Sequence, residues 1–142
     1  TLWAPPDAND PGAFAFRLYR NYDGAGGQFG DTSVHAASSD QGKLAIYAAQ
    51  RTGDNALTLV VVNKATETLN GQLTIANATV GGAAVYRYSA ADLTRIVRQP
   101  DITLAAGANT IAFPAQSITL LVANAGSPVT YKEHVYLPAM RR

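Results

Sequence analysis

The apolar positions of this chain change period once. Phe14, Leu18 and Tyr22 recur four apart, with Ala15 and Tyr19 beside them, so one broad face of a helix is apolar. A helix is predicted over residues 12–22: Asp10 stands at the N-cap position, Pro11 suits the first turn, and Gly24 offers a left-handed stop. Residues 1–11, rich in Pro, Asp and Asn, read as a loop, and the Gly-rich stretch 23–31 reads as a flexible crossing. Beyond it the period becomes two. Thr32 to Ser38 is strand-like. Leu44, Ile46 and Ala48 alternate with Lys43, Ala45 and Tyr47, and Leu57, Leu59 and Val61 follow the turn residues Thr52 to Asn55. Leu69, Leu73 and Ile75 alternate with Asn70, Gln72 and Thr74. Val85 among Tyr86 and Tyr88, then Ile102 with Leu104, Ile111 with Phe113, and Ile118, Leu120 and Val122 complete the series.

Short strands separated by turn residues predict an all-β fold, an antiparallel β-sandwich of about eight strands with one N-terminal helix. The segment Ala91 to Gln99 fits either a short helical turn or an edge strand. Residues 125–142 open with Gly-Ser-Pro and read as a tail that carries a strand-like piece, Val135 to Leu137. The expected division is a loop and helix over 1–28, a sandwich over 29–124 and a tail over 125–142.

Composition narrows the function classes. With 142 residues the chain fits one domain, and only 15% of them are charged. The formal net charge is +1 and the basic residues are scattered, the one close pair being Arg141 and Arg142, so no nucleic-acid partner is expected. The absence of Cys excludes disulfides, thiolate metal sites and a Cys nucleophile. No apolar run approaches the ~20 residues that span a bilayer, so no membrane partner is expected. The first residue is Thr, and the chain reads as a mature or excised piece of something longer.

Candidate chemistry is sparse. Glycoside hydrolysis needs two carboxylates about 5–10 Å apart across a sugar. Only Glu67 and Glu133 are Glu, one in a loop and one in the tail, and the Asp residues fall mostly in turns. An independent catalytic centre would have to use Asp31, Asp40 or Asp92. His35 and His134 lack a visible orienting partner and no G-x-S-x-G elbow exists, so no catalytic residue, metal site or cofactor is expected. Asp7, Asn9 and Asp10 lack the Gly and distal Glu of a calcium loop. Aromatic rings can stack on the apolar faces of sugars. Trp3, Tyr47, Tyr86 and Tyr88 are the candidates for carbohydrate binding, Tyr86 and Tyr88 sharing one strand face about 7 Å apart.

The run Ala15-Phe16-Arg17-Leu18-Tyr19-Arg20-Asn21-Tyr22-Asp23-Gly24, followed by Phe29-Gly30-Asp31-Thr32-Ser33-Val34, resembles the C-terminal part of glycoside hydrolase family 44, endo-β-1,4-glucanases of which some act on xyloglucan. The resemblance extends through Leu57 to Lys64 and on to Ile118 to Val122. A related arrangement occurs in family 51 arabinofuranosidases. The ending Tyr136 to Arg142 is similar to endings of exported bacterial proteins. The family resemblance implies a secreted, extracellular enzyme in which a TIM-like barrel carrying two catalytic Glu precedes a β-sandwich. It implies that residues 12–22 are the last barrel helix, with Phe14, Phe16, Leu18, Tyr19 and Tyr22 packing between domains, and that neither Glu67 nor Glu133 is catalytic. The implied partners are the barrel and β-glucan, with self-association through the helix as a further expectation.

Overall fold

The computed structural model describes residues 4–125 and 136–140. In chain order these form α1 (Pro11–Arg20), β1 (Thr32–Ser38), β2 (Leu44–Gln50), β3 (Leu57–Asn63), β4 (Leu69–Thr74), β5 (Val80–Ser89), β6 (Asp92–Thr103), β7 (Ala108–Phe113), β8 (Ser117–Ala125) and β9 (Tyr136–Met140). A seven-stranded sheet in the order β6-β5-β8-β3-β2-β1-β9 packs against a two-stranded sheet, β4-β7. All neighbours pair antiparallel except β1 and β9, which are parallel. The all-β sandwich is therefore as predicted, with nine strands among the described residues. The ambiguous segment 91–99 lies in β6, an edge strand entered by a tight turn that pairs Ser89 with Asp92.

The position of each strand follows from its pattern. β4 buries alternate residues, Leu69 and Leu73 facing inward while Asn70 and Gln72 face water. That is the alternation of a sheet packed on one side. β3 is buried almost throughout, because it sits at the centre of the large sheet with both faces covered. Leu57, Leu59 and Val61 join Leu44, Ile46, Val85, Leu73, Phe113 and Leu121 between the sheets. Val60 points the other way, into a second apolar cluster with Phe14, Leu18, Tyr88, Leu120 and Val122. The molecule has three layers: small sheet, large sheet, helix.

One polar residue ties the sheet ends together. Asn63 is 1% exposed, and its Nδ2 donates to the carbonyls of Glu67 (2.9 Å), Phe113 (2.9 Å) and Pro114 (2.8 Å) while its Oδ1 accepts from Ala65 N at 2.9 Å. A buried amide engaged at both its nitrogen and its oxygen holds the β3–β4 and β7–β8 connections in register.

The helix differs from its predicted bounds. It ends at Arg20, and Asn21 leaves helical geometry with its N–H on Arg17 O. Asn21 Oδ1 then accepts from Gly26 N at 2.7 Å, so Asn21 makes the stop and Gly24, at φ 76°, lies inside the following loop. Asp10 is the N-cap residue by position, but its carboxylate accepts from Asp7 N (3.0 Å) and makes no cap hydrogen bond. The Gly-rich crossing is pinned where flexibility was expected. Gly30 N donates to Thr58 Oγ1 at 2.9 Å, and a Cβ on Gly30 would lie 2.5 Å from the Gln50 carbonyl carbon, so only glycine permits this approach to β2.

Candidate functional site

The outer face of the large sheet is covered by α1 over β5, β8 and β3, and on β2 Tyr47 stands exposed between the buried Ala45 and Ala49. In the covered part Phe14 stacks on Tyr88 with ring centroids 4.7 Å apart and planes 12° apart, and Tyr22 lies against Tyr86 at 4.7 Å. Arg98 sits over the Tyr86 ring at 5.1 Å and Arg17 over Phe14 at 4.6 Å. Tyr88 donates its hydroxyl to Leu93 O at 3.2 Å. Tyr86 and Tyr88 do share one face, as their spacing indicated, but that face looks at the helix. Tyr88 is 6% exposed, buried against Phe14, and Tyr86 is capped by Tyr22 and Arg98. The spacing places the rings together; it does not say what covers them.

The same contact relocates the helix residues. Phe14 and Leu18 are 2% and 0% exposed, and Tyr22 is also buried, all three against the sandwich. For the apolar row expected to pack on a barrel or, without one, to stand exposed, fold back on the sandwich or meet another copy, the structure has the second of these three alternatives: Val60, Leu120 and Val122 present an apolar surface directly behind it. Of the five interdomain candidates, Phe16 is 56% exposed and Tyr19 is half-buried. Trp3 lies outside the described residues, as do Glu133 and His134.

Arg51 fastens this arrangement. Its Nε and Nη2 hold Asp54 Oδ1 and Oδ2 at 2.8 and 2.6 Å, and its Nη1 donates to Tyr22 Oη (2.8 Å) and Gln28 O (3.0 Å). The helix end, the Gly-rich crossing and the β2–β3 turn thus meet on one guanidinium. Asp54 is held below the usual carboxylate range chiefly by Arg51, and Arg51 is raised by Asp54.

Beside this contact lies a groove of about 590 Å³ lined by Tyr19, Phe29, Asp31, His35, Gln41 and Tyr47 among others. Tyr47, paired opposite Val60, stands 50% exposed on the outer face of β2. Tyr19 and Phe29 meet edge to face at 4.9 Å. Burial, and then the neighbouring Tyr47 phenol, push the Tyr19 phenol above its ordinary value, so the Tyr19 hydroxyl is a neutral hydrogen-bonding group at neutral pH. The groove thus offers aromatic surface with phenol and amide groups at its walls. Phe29 was missed by sequence reasoning, although an aromatic in a Gly-rich loop was a usable signal. Arg51 gave no signal beyond its place before a turn.

The acids serve turns. Asp31 accepts from Thr52 N at 3.0 Å and from the hydroxyls of Thr52 and Thr32, and these bonds hold it below the usual carboxylate range. Asp92 is lowered by Thr94 and by Arg95. Asp40 accepts from Lys43 N at 3.1 Å. A general acid for glycoside cleavage needs a raised carboxyl. Each of three described clefts is lined by one carboxylate, Asp31, Asp23 or Asp101. Glu67 is exposed in the β3–β4 loop. Among the described residues no group of three His, Asp or Glu is placed to hold a metal, and no helix is long and apolar enough to cross a membrane.

Comparison with known proteins agrees with the resemblance carried by Ala15 to Val34. The fold superposes on a bifunctional glucanase-xylanase from a metagenome library with a TM-score of 0.82 and 36% identity, covering 87% of this chain and 24% of that one. A Paenibacillus polymyxa xyloglucanase from glycoside hydrolase family 44 superposes with a TM-score of 0.74 and 29% identity, over 87% of this chain and 25% of the other. In sequence, Endoglucanase A of Paenibacillus lautus is 38% identical over 88 residues, which is 56% of this chain and 13% of that protein. No family model matches. The chain thus spans about a quarter of the solved relatives and a smaller share of the curated one.

Proposed function

From the premise that this chain resembles family 44 glycoside hydrolases in sequence and fold, we propose that it is the C-terminal accessory β-sandwich of a secreted bacterial polysaccharide hydrolase of endo-β-1,4-glucanase type, non-catalytic itself and packing on the catalytic barrel. The observation that carries this reading is the extent of the match: most of this chain aligns with only about a quarter of the relatives' length. The stabilising contribution is apolar burial at about 25 cal/mol per Å², to which Phe16 and the half-buried Tyr19 bring the surface that the sandwich leaves over. Fusing this chain to the barrel region of a family 44 relative that lacks its own sandwich should raise the Tm of that barrel and restore endoglucanase activity. Hydrolysis of cellulose or xyloglucan by this chain alone, or a barrel indifferent to its presence, would overturn the reading.

A second reading, a carbohydrate-binding module for β-glucan, is favoured by one observation: Tyr47 stands half-exposed over a groove walled by Tyr19 and Phe29. It requires saturable binding to cellulose, xyloglucan, xylan or mannan that Tyr47→Ala removes.

A further inference from the structure

A different cleft opens between the two sheets, bounded by β5 and β6 on one side and β7 on the other, with a volume of about 390 Å³. That size lies within the ~300–1,000 Å³ of small-ligand sites. Arg87 lines it. Val85 and Arg87 point to the inner face of β5, and the guanidinium bridges the sheets: Nε donates to Thr119 Oγ1 at 3.0 Å and Nη2 to Ala112 O at 3.2 Å. Among the described residues Arg87 forms no ion pair, whereas Arg51, Arg95 and Arg98 each hold an aspartate. Burial pulls its pKa down from the ordinary arginine value, yet a guanidinium keeps its proton, so a half-desolvated charge stands without a counter-ion.

The hydrogen-bond inventory defines what is missing. A guanidinium has five N–H donors, of which Nε and one on Nη2 are used. The remaining donors of Nη1 and Nη2 form a two-pronged edge that matches a carboxylate. Around it stand Gln99, Thr103 and Thr110, with Pro100, Ile102 and Ile111 as an apolar wall. Asn109 is committed to its own turn, its amide donating to Leu73, Ala105 and Gly107 carbonyls. Asp101, held by Arg98, leaves one carboxylate oxygen outside that ion pair to accept from a hydroxyl. The lining therefore asks for a compact ligand with one carboxylate and several hydroxyls.

We propose that this cleft binds a uronic-acid unit of an acidic polysaccharide, with the carboxylate on Arg87 and the ring hydroxyls on Gln99, Thr110 and Asp101. The inference stands on the cleft's own geometry, and its failure leaves the accessory role untouched. Titrating the ¹⁵N-labelled chain with glucuronate near pH 7 should shift the amides of Arg87, Gln99, Asp101–Thr103 and Thr110–Ala112. The neutral methyl ester of glucuronate and glucose should each bind about tenfold or more weakly, because they leave the guanidinium unpaired. Acetate, which carries the carboxylate without the hydroxyls, should also fall short. Arg87→Gln should abolish the shifts and Arg87→Lys, which lacks the fork, should weaken them. The ligand comparisons use the unaltered chain, so they decide the matter even if either variant fails to fold. No shift with glucuronate, equal shifts with the ester, or equal shifts with acetate would each overturn the proposal.

Discussion

The two faces of the large sheet are covered by different means. The inner face is closed by aliphatic side chains and Phe113 against the two strands β4 and β7. The outer face is closed only in part, by Phe14 and Leu18 of a single short helix and by Tyr22 just beyond its end, on aromatic and aliphatic partners. Beyond the helix Tyr47 stands half-exposed over the groove. A closed face supplies stability and leaves little for recognition. A half-covered face supplies less stability and leaves a groove. The open cleft at Arg87 belongs to the inner space only at its edge, where β7 stops short of covering β5 and β6.

This contrast can be broken by substitution, beginning with the inner layer. Phe113→Ala removes a fully buried ring and should lower unfolding free energy by about 3–5 kcal/mol, read as a lower urea midpoint at unchanged slope. Leu18→Ala in the outer layer should cost less, about 2–3 kcal/mol, since a helix on a rim can settle into part of the space. Hydrogen exchange sharpens the comparison: this variant should expose the amides of α1 while those of β3 and β8 stay protected. If β3 loses protection in step, the layers form one cooperative unit and the contrast fails.

Arg51→Met should cost about 1 kcal/mol after allowance for solvent screening, because Asp54 is half in water and the rest of the loss falls on the bonds to Tyr22 and Gln28. Acid should act in the same place. Asp23, held low chiefly by the Gly27 N–H, and Asp54, held low chiefly by Arg51, have folded pKa values beneath the ordinary 3.8. Groups depressed on folding add stability above their unfolded pKa and lose it as pH falls through the folded one. The Tm should therefore hold steady from neutral pH to about 5 and decline below about 4, less steeply in Arg51→Met. Tyr47→Ala should change stability by no more than about 0.5 kcal/mol, since half the side chain is already in water. A loss well beyond that would mean that Tyr47 belongs to the covered part of the face.

Much of this was legible in the chain itself. Period two through Leu44, Leu57, Leu69 and Ile118 settled the class of fold, because alternate side chains of a strand must point to opposite faces. The row Phe14, Leu18 and Tyr22 marked a helix that needs a large apolar partner, and the segment from Ala15 to Val34 carried the family resemblance. Which partner the helix takes was decided only in three dimensions. Val60, Leu120 and Val122 come from strands far apart in sequence, and their outward side chains form a patch only once β3 and β8 pair. That pairing buries Tyr88, leaves Tyr47 half-exposed and sets Arg87 between the sheets with no ion pair among the described residues. Periodicity reports the direction in which a side chain points from its own element. What it meets there depends on residues brought close by long-range pairing, and one-dimensional spacing carries no record of them.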